Sequence, residues 1–390
     1  MRISGHGLCK FSAGARYPTQ CHLCSGAKPP SSLLPATGEI QEGMLPPVLF
    51  GLWLRHTREN IKDMILTIGT LILSLTLSFA TVSAQTSRDE KYIIIGTTSK
   101  TVGYMAPWVG KIKGFFQAEG VRVDIPILRS ATTGVQALVG GSTQFDATTV
   151  DAMISAVDKG QELEVIGGII NGATYRLVAT KKFQSFKDLK GATIGVSSIT
   201  SGSTVLLRLM LEKNGLSYPR DYTLLTMGGT PERFAALESG RMDAALLAAP
   251  LSYKAVDLGY TKIGDVHEYV KHYQLSGLVV AKRWGRDNQD TVKRVLRGLI
   301  RSFQWLHQNK EEAVSLISSE LKLERRYAEA GWEEYVRSNA WPQRGDIDLE
   351  GVKTQIQILA QSNKQSGILP PPERYVNLTY LRAAQKELGM

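Results

Sequence analysis

The sequence predicts an α/β protein of two similar lobes flanking a cleft, joined by two crossing strands and followed by a helical carboxyl-terminal part. Three observations carry that expectation. From Lys91 onward, short β-branched runs alternate with helical segments, a pattern that builds largely parallel sheets covered by helices on both faces. A helix–Gly–Asp unit occurs twice: Ala137-Leu138, Gly141 and Asp146-Ala147 are answered by Ala236-Leu237, Gly240 and Asp243-Ala244. Beyond Trp284, apolar residues recur at helical spacing, as in Val292, Val295, Leu296, Leu299, Phe303 and Leu306.

The 390 residues suffice for two or three domains. Net charge is +10, with 7 Lys/Arg and 4 Asp/Glu in residues 1–84. The charges are interspersed and form no basic blocks interleaved with aromatics, so nucleic-acid binding has no support. Cys9, Cys21 and Cys24 are the only cysteines, which removes disulfides, thiol catalysis and Cys-ligated metal from the chain beyond Lys91.

Residues 1–63 are rich in Gly, Pro and Ser and lack sustained periodicity. They are expected to be a disordered or mis-started leader, with Met44 or Met64 as a downstream start. Cys21-His22-Leu23-Cys24 is half of a zinc pattern, and no second ligand pair stands at a suitable distance. Met64 to Ala80 is an uncharged apolar run of 17 residues, preceded by Arg55, Arg58 and Lys62 and followed by Val82-Ser83-Ala84. That order predicts a signal peptide over 64–84, cleaved near Ala84. An uncleaved anchor is the competing reading, because 17 residues sit at the lower limit for spanning a bilayer.

The first lobe opens with a strand at Tyr92–Gly96, a helix over Pro107–Glu119 and a strand over Val121–Leu128. A helix over Thr133–Val139, a strand at Phe145–Ala147, a helix over Asp151–Lys159 and a strand over Val165–Ile170 complete its first part. A crossing run through Leu177–Lys181 leads to the second lobe. There the alternation restarts with a strand at Ala192–Val196, a Ser/Thr/Gly loop at Ser197–Ser203 and a helix over Thr204–Lys213 stopped by Asn214-Gly215. Tyr222–Met227, Pro231–Glu238, Met242–Ala248 and Leu251–Leu258 continue it, and Leu275–Arg283 is the second crossing strand. Helices over Glu311–Ser318, Glu324–Arg337, Leu349–Ser362 and Arg374–Leu388 follow. The expected organisation is residues 85–180 as the first part of lobe 1, 181–277 as lobe 2, and 278–390 as the completion of lobe 1 with the carboxyl-terminal helices.

In such sheets ligands collect at the carboxyl ends of the strands. The candidate binding residues are therefore Ser99, Thr101 and Tyr104 after the first strand, with Thr132 and Thr133, then Thr149 and Asp151. In lobe 2 they are Ser197, Ser198, Thr200, Ser201, Gly202 and Ser203, then Gly229 and Thr230, and finally Pro250 and Tyr253. The Ser197–Ser203 loop draws particular interest. A strand feeding a helix through small residues leaves unpaired N–H groups at the positive end of the helix dipole, which suits an anionic or strongly polar group. The plainer alternative is that Thr200 or Ser201 only caps the helix. Tyr104, Trp108 and Tyr253 either wall the cleft or pack in the core.

No phosphate loop, HExxH or GxSxG pattern is present, so neither catalysis, nor a metal, nor a cofactor is expected. His267 and His272 flank Tyr269 in a polar connection, and His307 is expected on a solvated helix face. Asp146 and Asp243 are expected to cap or salt-bridge strand starts rather than to act as acids or bases.

Phe186-Lys187-Asp188-Leu189-Lys190-Gly191, Ala236-Leu237-x-x-Gly240-x-x-Asp243-Ala244 and Ala249-Pro250, on an apparently exported two-lobe chain, give a sequence that resembles the substrate-binding proteins of ABC importers. Within them it is similar to the nitrate/sulfonate/taurine group, which is also thiamine-pyrimidine-like, over about Lys91 to Leu388. The resemblance implies a type II periplasmic-binding-protein fold and a monomer in the periplasm. It also implies capture of a small polar or anionic organic solute of the sulfonate, nitrate or pyrimidine-like class. Delivery would be to an ABC transporter permease in the inner membrane, powered by an ATPase. Two alternatives stand beside it. Thiamine-pyrimidine synthases and some menaquinone-pathway enzymes resemble these proteins, but such a synthase needs a cysteine-rich iron motif, which is absent here. A periplasmic solute sensor would use the same cleft.

Overall fold

The computed structural model describes residues 90–390 apart from Thr200, Lys364 and Gln365. The leader, the apolar run and the cleavage motif at Ala84 lie outside the described residues. Among those described, no helix is long and apolar enough to cross a membrane.

In chain order, the first lobe contains β1 (Lys91–Thr97), α1 (Met105–Ile112), α2 (Phe115–Ala118), β2 (Val121–Asp124), α3 (Ala131–Val139), β3 (Phe145–Thr149), α4 (Val150–Asp158) and β4 (Leu163–Ile170). The second contains β5 (Tyr175–Ala179), β6 (Thr193–Val196), α5 (Gly202–Lys213), β7 (Thr223–Thr226), α6 (Thr230–Glu238), β8 (Ala244–Ala248), α7 (Leu251–Asp257) and β9 (Thr261–Asp265). The chain then returns through β10 (Ser276–Ala281) to α8 (Lys282–Asp287), α9 (Gln289–Gln308), α10 (Lys310–Leu321), α11 (Arg325–Arg337), α12 (Leu349–Ser362) and α13 (Thr379–Glu387). The expected helix over Pro107–Glu119 is broken into α1 and α2, because Gly114 adopts a left-handed φ of 74° between them.

The sheets have matching orders, β2-β1-β3-β10-β4 and β7-β6-β8-β5-β9. In each, one strand runs against its neighbours: β10 pairs antiparallel with β3 and β4, and β5 with β8 and β9. The reason is directional. Both strands are entered directly from the other lobe, at the end of the sheet where the neighbouring strands finish. The passages between sheets are residues 171–174 and 266–275, so β5 and β10, which contain the expected crossing runs, are full members of one sheet each.

A constant shift of 99 residues superposes the central elements of the lobes, taking Ile94 to Thr193, Ser130 to Gly229 and Gln144 to Asp243. The Ile94 N–H donates to Gln144 Oε1 and the Thr193 N–H to Asp243 Oδ2, both at 2.9 Å. Gln144, not Asp146, is thus the counterpart of Asp243. Asp243 secures a strand start, whereas Asp146 stands where lobe 2 has Ala245. It is fully buried and neither of its oxygens has a hydrogen-bond partner, and burial pushes its carboxyl up to about 7.

The amphipathic stripe on α9 is the largest helical contribution to the core. Val292, Val295, Leu296, Leu299, Phe303 and Leu306 are all buried, each stabilising the fold by about 1.5–3 kcal/mol relative to exposure. Beside the cleft, Gln274 clasps the two passages together. Its Nε2 donates to Ile170 O, Asn171 Oδ1 and Ser276 O, and its Oε1 accepts from the Asp348 N–H at 2.7 Å. Two late helices brace this region. On α11, Glu334 pairs with Arg176 of β5 at 2.9 Å, and the Tyr335 hydroxyl bonds Thr174 Oγ1 at 3.1 Å. On the other side, α12 packs against both α4 and α5.

Candidate functional site

A cavity of about 50 Å³ lies between the two sheets. The strands of both lobes end toward it, so the loops that line it come from equivalent places in each half. Of the expected residues, Ser99, Thr101, Tyr104 and Thr149 from lobe 1 and Ser197, Ser201, Ser203, Gly229 and Thr230 from lobe 2 line it.

The others are placed differently. Thr132 and Ser198 face a wider groove of about 1490 Å³, bounded by α3, α4, α5 and the end of α12. Thr133 donates its N–H to Ser130 Oγ at 3.1 Å as part of the α3 cap. Pro250 packs beside Gly331 of α11. The Tyr253 hydroxyl accepts from Arg176 Nη2 at 3.1 Å, with the guanidinium over its ring. Trp108 lies under Lys100. Thr200 lies outside the described residues.

Asp151 and Gly202 take each other as partners. Asp151 is almost fully buried at the start of α4, and its Oδ2 accepts the N–H of Gly202, the first residue of α5, at 2.5 Å. Burial raises the Asp151 carboxyl above the usual range, and the Gly202 N–H opposes that shift. The helix end read in the sequence as a place for a ligand anion thus faces a carboxylate of the other lobe. The hydroxyls beside it also bond mainly to their own loop: Ser197 Oγ to Ser201 Oγ at 2.7 Å, and Ser201 Oγ to Ser198 O at 3.0 Å.

Sequence reasoning missed Arg129, Thr174, Tyr175, Arg233 and Tyr335, which also line the cavity. Arg233 lies inside a helix and Tyr335 far along the chain, so neither belongs to a strand-end loop. Arg233 is 2% exposed. Its Nε donates to Leu246 O, Nη1 to Gly228 O and Nη2 to Thr230 Oγ1. Burial lowers its guanidinium below the ordinary value. Tyr104 accepts from Ser276 Oγ at 3.0 Å, and burial keeps its phenol protonated.

Among the described residues no three His, Cys, Asp or Glu side chains converge as a metal site. His267 is exposed and His272 pairs with Asp348 at 3.3 Å. His307 is not the solvated residue expected. It is half-buried, with Nε2 against Trp341 O at 2.9 Å and Nδ1 against Gln343.

The chain has relatives among known proteins. The NMT1/THI5 like family matches it over residues 103–313. The chain belongs to that family. A protein of Brucella abortus (strain 2308) named as a binding protein is 26% identical to this NMT1/THI5-like chain over 234 residues, spanning 57% of this chain and 72% of the relative. The alkanesulfonate-binding protein SsuA from Xanthomonas axonopodis pv. citri superposes with a TM-score of 0.59 at 17% identity, covering 74% of this chain and 98% of that one. The periplasmic nitrate-binding protein NrtA from Synechocystis PCC 6803 gives a TM-score of 0.60 at 15% identity, covering 76% and 89%. The fold of this NMT1/THI5-like protein is therefore that of two-lobe periplasmic binding proteins.

Proposed function

We propose that the protein is the solute-binding component of an ABC import system. It takes a small polar or anionic organic solute between its lobes and delivers it to a membrane permease. The observation that carries this reading is the cavity itself, enclosed by hydroxyl-bearing loops from both lobes and set beside two short chain passages. About 50 Å³ of space holds a few waters, so a larger solute enters only when the lobes part. The passages at 171–174 and 266–275 are where such a hinge would turn. The kinship with a named binding protein supports a role without catalysis.

A periplasmic location is supported by the apolar run at Met64–Ala80 and by Val82-Ser83-Ala84. Amino-terminal sequencing of the exported protein is expected to begin near Gln85. The functional reading is tested by thermal unfolding with a panel of sulfonates, nitrate and pyrimidines. A solute that binds only the folded state raises the unfolding temperature, and small-angle scattering with that solute is expected to show compaction. If nothing in the panel shifts the transition or the scattering profile, the solute-binding reading fails.

A further inference from the structure

The 99-residue relation between the lobes exposes two exchanges of arginine for glycine. Just before the cap of α6, Gly228 has a φ of 90°; its counterpart before the cap of α3 is Arg129, with a φ of 63°. The backbone is left-handed in both lobes, a conformation that glycine adopts freely and that a residue with a Cβ adopts rarely. Lobe 1 nevertheless carries an arginine there. The second exchange is reversed. Arg233 of α6 corresponds to Gly134 of α3, as the matching bonds of Arg233 N to Gly229 O and Gly134 N to Ser130 O require.

Both arginines line the same cavity, one from each lobe. Arg129 is exposed at its mouth, with its carbonyl oxygen facing Gly228 across the cleft, while Arg233 is buried in the opposite wall. Among the described residues, neither stands within 4.0 Å of a carboxylate. The exposed Glu232 has its carboxylate beside Gly229 and acts on the Arg233 charge from a distance. A buried cation held only by neutral acceptors is costly unless a counter-charge arrives. A strained arginine kept where the sister lobe uses glycine points the same way, toward a function at the mouth. Guanidinium groups suit oxyanions because their N–H forks match carboxylate, sulfonate and phosphate geometry.

We propose that Arg129 and Arg233 form a two-sided clamp for an oxyanion, Arg233 holding it from lobe 2 and Arg129 closing over it from lobe 1. The clamp rests on the solute-binding reading and adds which residues select the charge of the solute. The test is calorimetric titration of the exported protein at low ionic strength. The probes are methanesulfonate, phosphate and formate, the neutral isostere dimethyl sulfone, and the cation methylammonium. At least one of the three anions is expected to bind, and dimethyl sulfone and methylammonium are not. Arg129→Gly installs the residue of the sister lobe and relieves strain, so it is expected to fold at least as stably as the parent while binding that anion about tenfold more weakly or worse. Arg233→Lys keeps the charge without the fork and is expected to weaken the anion while keeping the preference over dimethyl sulfone. If Arg233→Lys does not fold, Arg129→Gly and the charge preference of the parent decide. Binding of the neutral or cationic probe as tightly as the anions, or parent-like affinity in Arg129→Gly, overturns the clamp and leaves the solute-binding reading standing. No heat from any probe, together with no thermal shift across the wider solute panel, removes both.

Discussion

Asp151 Oδ2 accepts the N–H of Gly202 at 2.5 Å, joining the start of α4 in lobe 1 to the start of α5 in lobe 2. The contact places a carboxylate at the positive end of a helix, an arrangement that favours the ionised form. The side chains that act on this carboxylate or feel its charge are neutral: Thr149 of β3, Tyr175 of β5 and Tyr273 of the second passage. With no cation in that shell, the two lobes are held here by a helix end and a single carboxylate.

Asp151→Ala removes that interlobe bond. The variant is expected to sample more open forms without solute, giving a larger radius of gyration than the parent in small-angle scattering. Identical profiles would mean that the contact does not hold the closed arrangement.

Asp146 predicts a pH effect of defined sign. Its carboxyl titrates near 3.8 when unfolded and at about 7 in the fold. The folded state therefore holds the extra proton between those values. The contribution to stability is greatest below the unfolded value and is lost as pH rises through about 7. The full span is on the order of 4 kcal/mol. Asp146→Ala, copying Ala245, is expected to be more stable than the parent at pH 8 and to lose most of this slope. Urea unfolding of both proteins from pH 5 to pH 8 checks it, and equal slopes would rule it out.

Arg176 binds Glu334 of α11 and pairs with Asp265 of β9, both with little exposed side chain. Arg176→Met strands Glu334, while Asp265 keeps Lys262 at 2.8 Å, and is expected to cost about 3 kcal/mol. In a double-mutant cycle, Glu334→Gln should recover part of that loss. Full additivity of the two substitutions would mean that they do not interact.

Gln274→Leu keeps the bulk of the clasp but leaves the Asp348 N–H and the Ile170 and Ser276 carbonyls without this partner. A loss of about 1–3 kcal/mol is expected for the stranded groups. Amide exchange at Gly172 and Asp348 should quicken more than at α9. Uniform quickening would place the effect outside the passages.

The alternation of elements was legible in the sequence because helices end at glycines such as Gly141 and Gly240, whose φ angles of 75° and 70° close α3 and α6 just ahead of the short strands β3 and β8. The repeat was visible and its helix and glycine were in register, but its aspartate was misaligned by two residues. Asp146 matches Asp243 in chemistry, while the bond to the neighbouring strand is made by Gln144, and residue identity does not report that bond. Ser99, Thr149 and Thr230, chosen by strand-end reasoning, line the cavity because topology fixes where those loops emerge. It did not orient Thr132 or Ser198, since successive residues at a helix start or in a turn point in different directions. Arg129 had a signal that went unread, its place in the repeat opposite Gly228.

The position of β10 between β3 and β4 also sets an order of assembly. The second sheet draws all its strands from Tyr175–Asp265 and has everything it needs once that stretch is available. The first sheet does not: β4 reaches β3 only through β10, Ser276–Ala281, more than a hundred residues beyond the end of β4 at Ile170. Loop closure over such a separation is slow. As the chain emerges, one lobe can fold while the other waits for its keystone strand, leaving the facing edges of β3 and β4 unpaired until the end and open to mispairing with another chain.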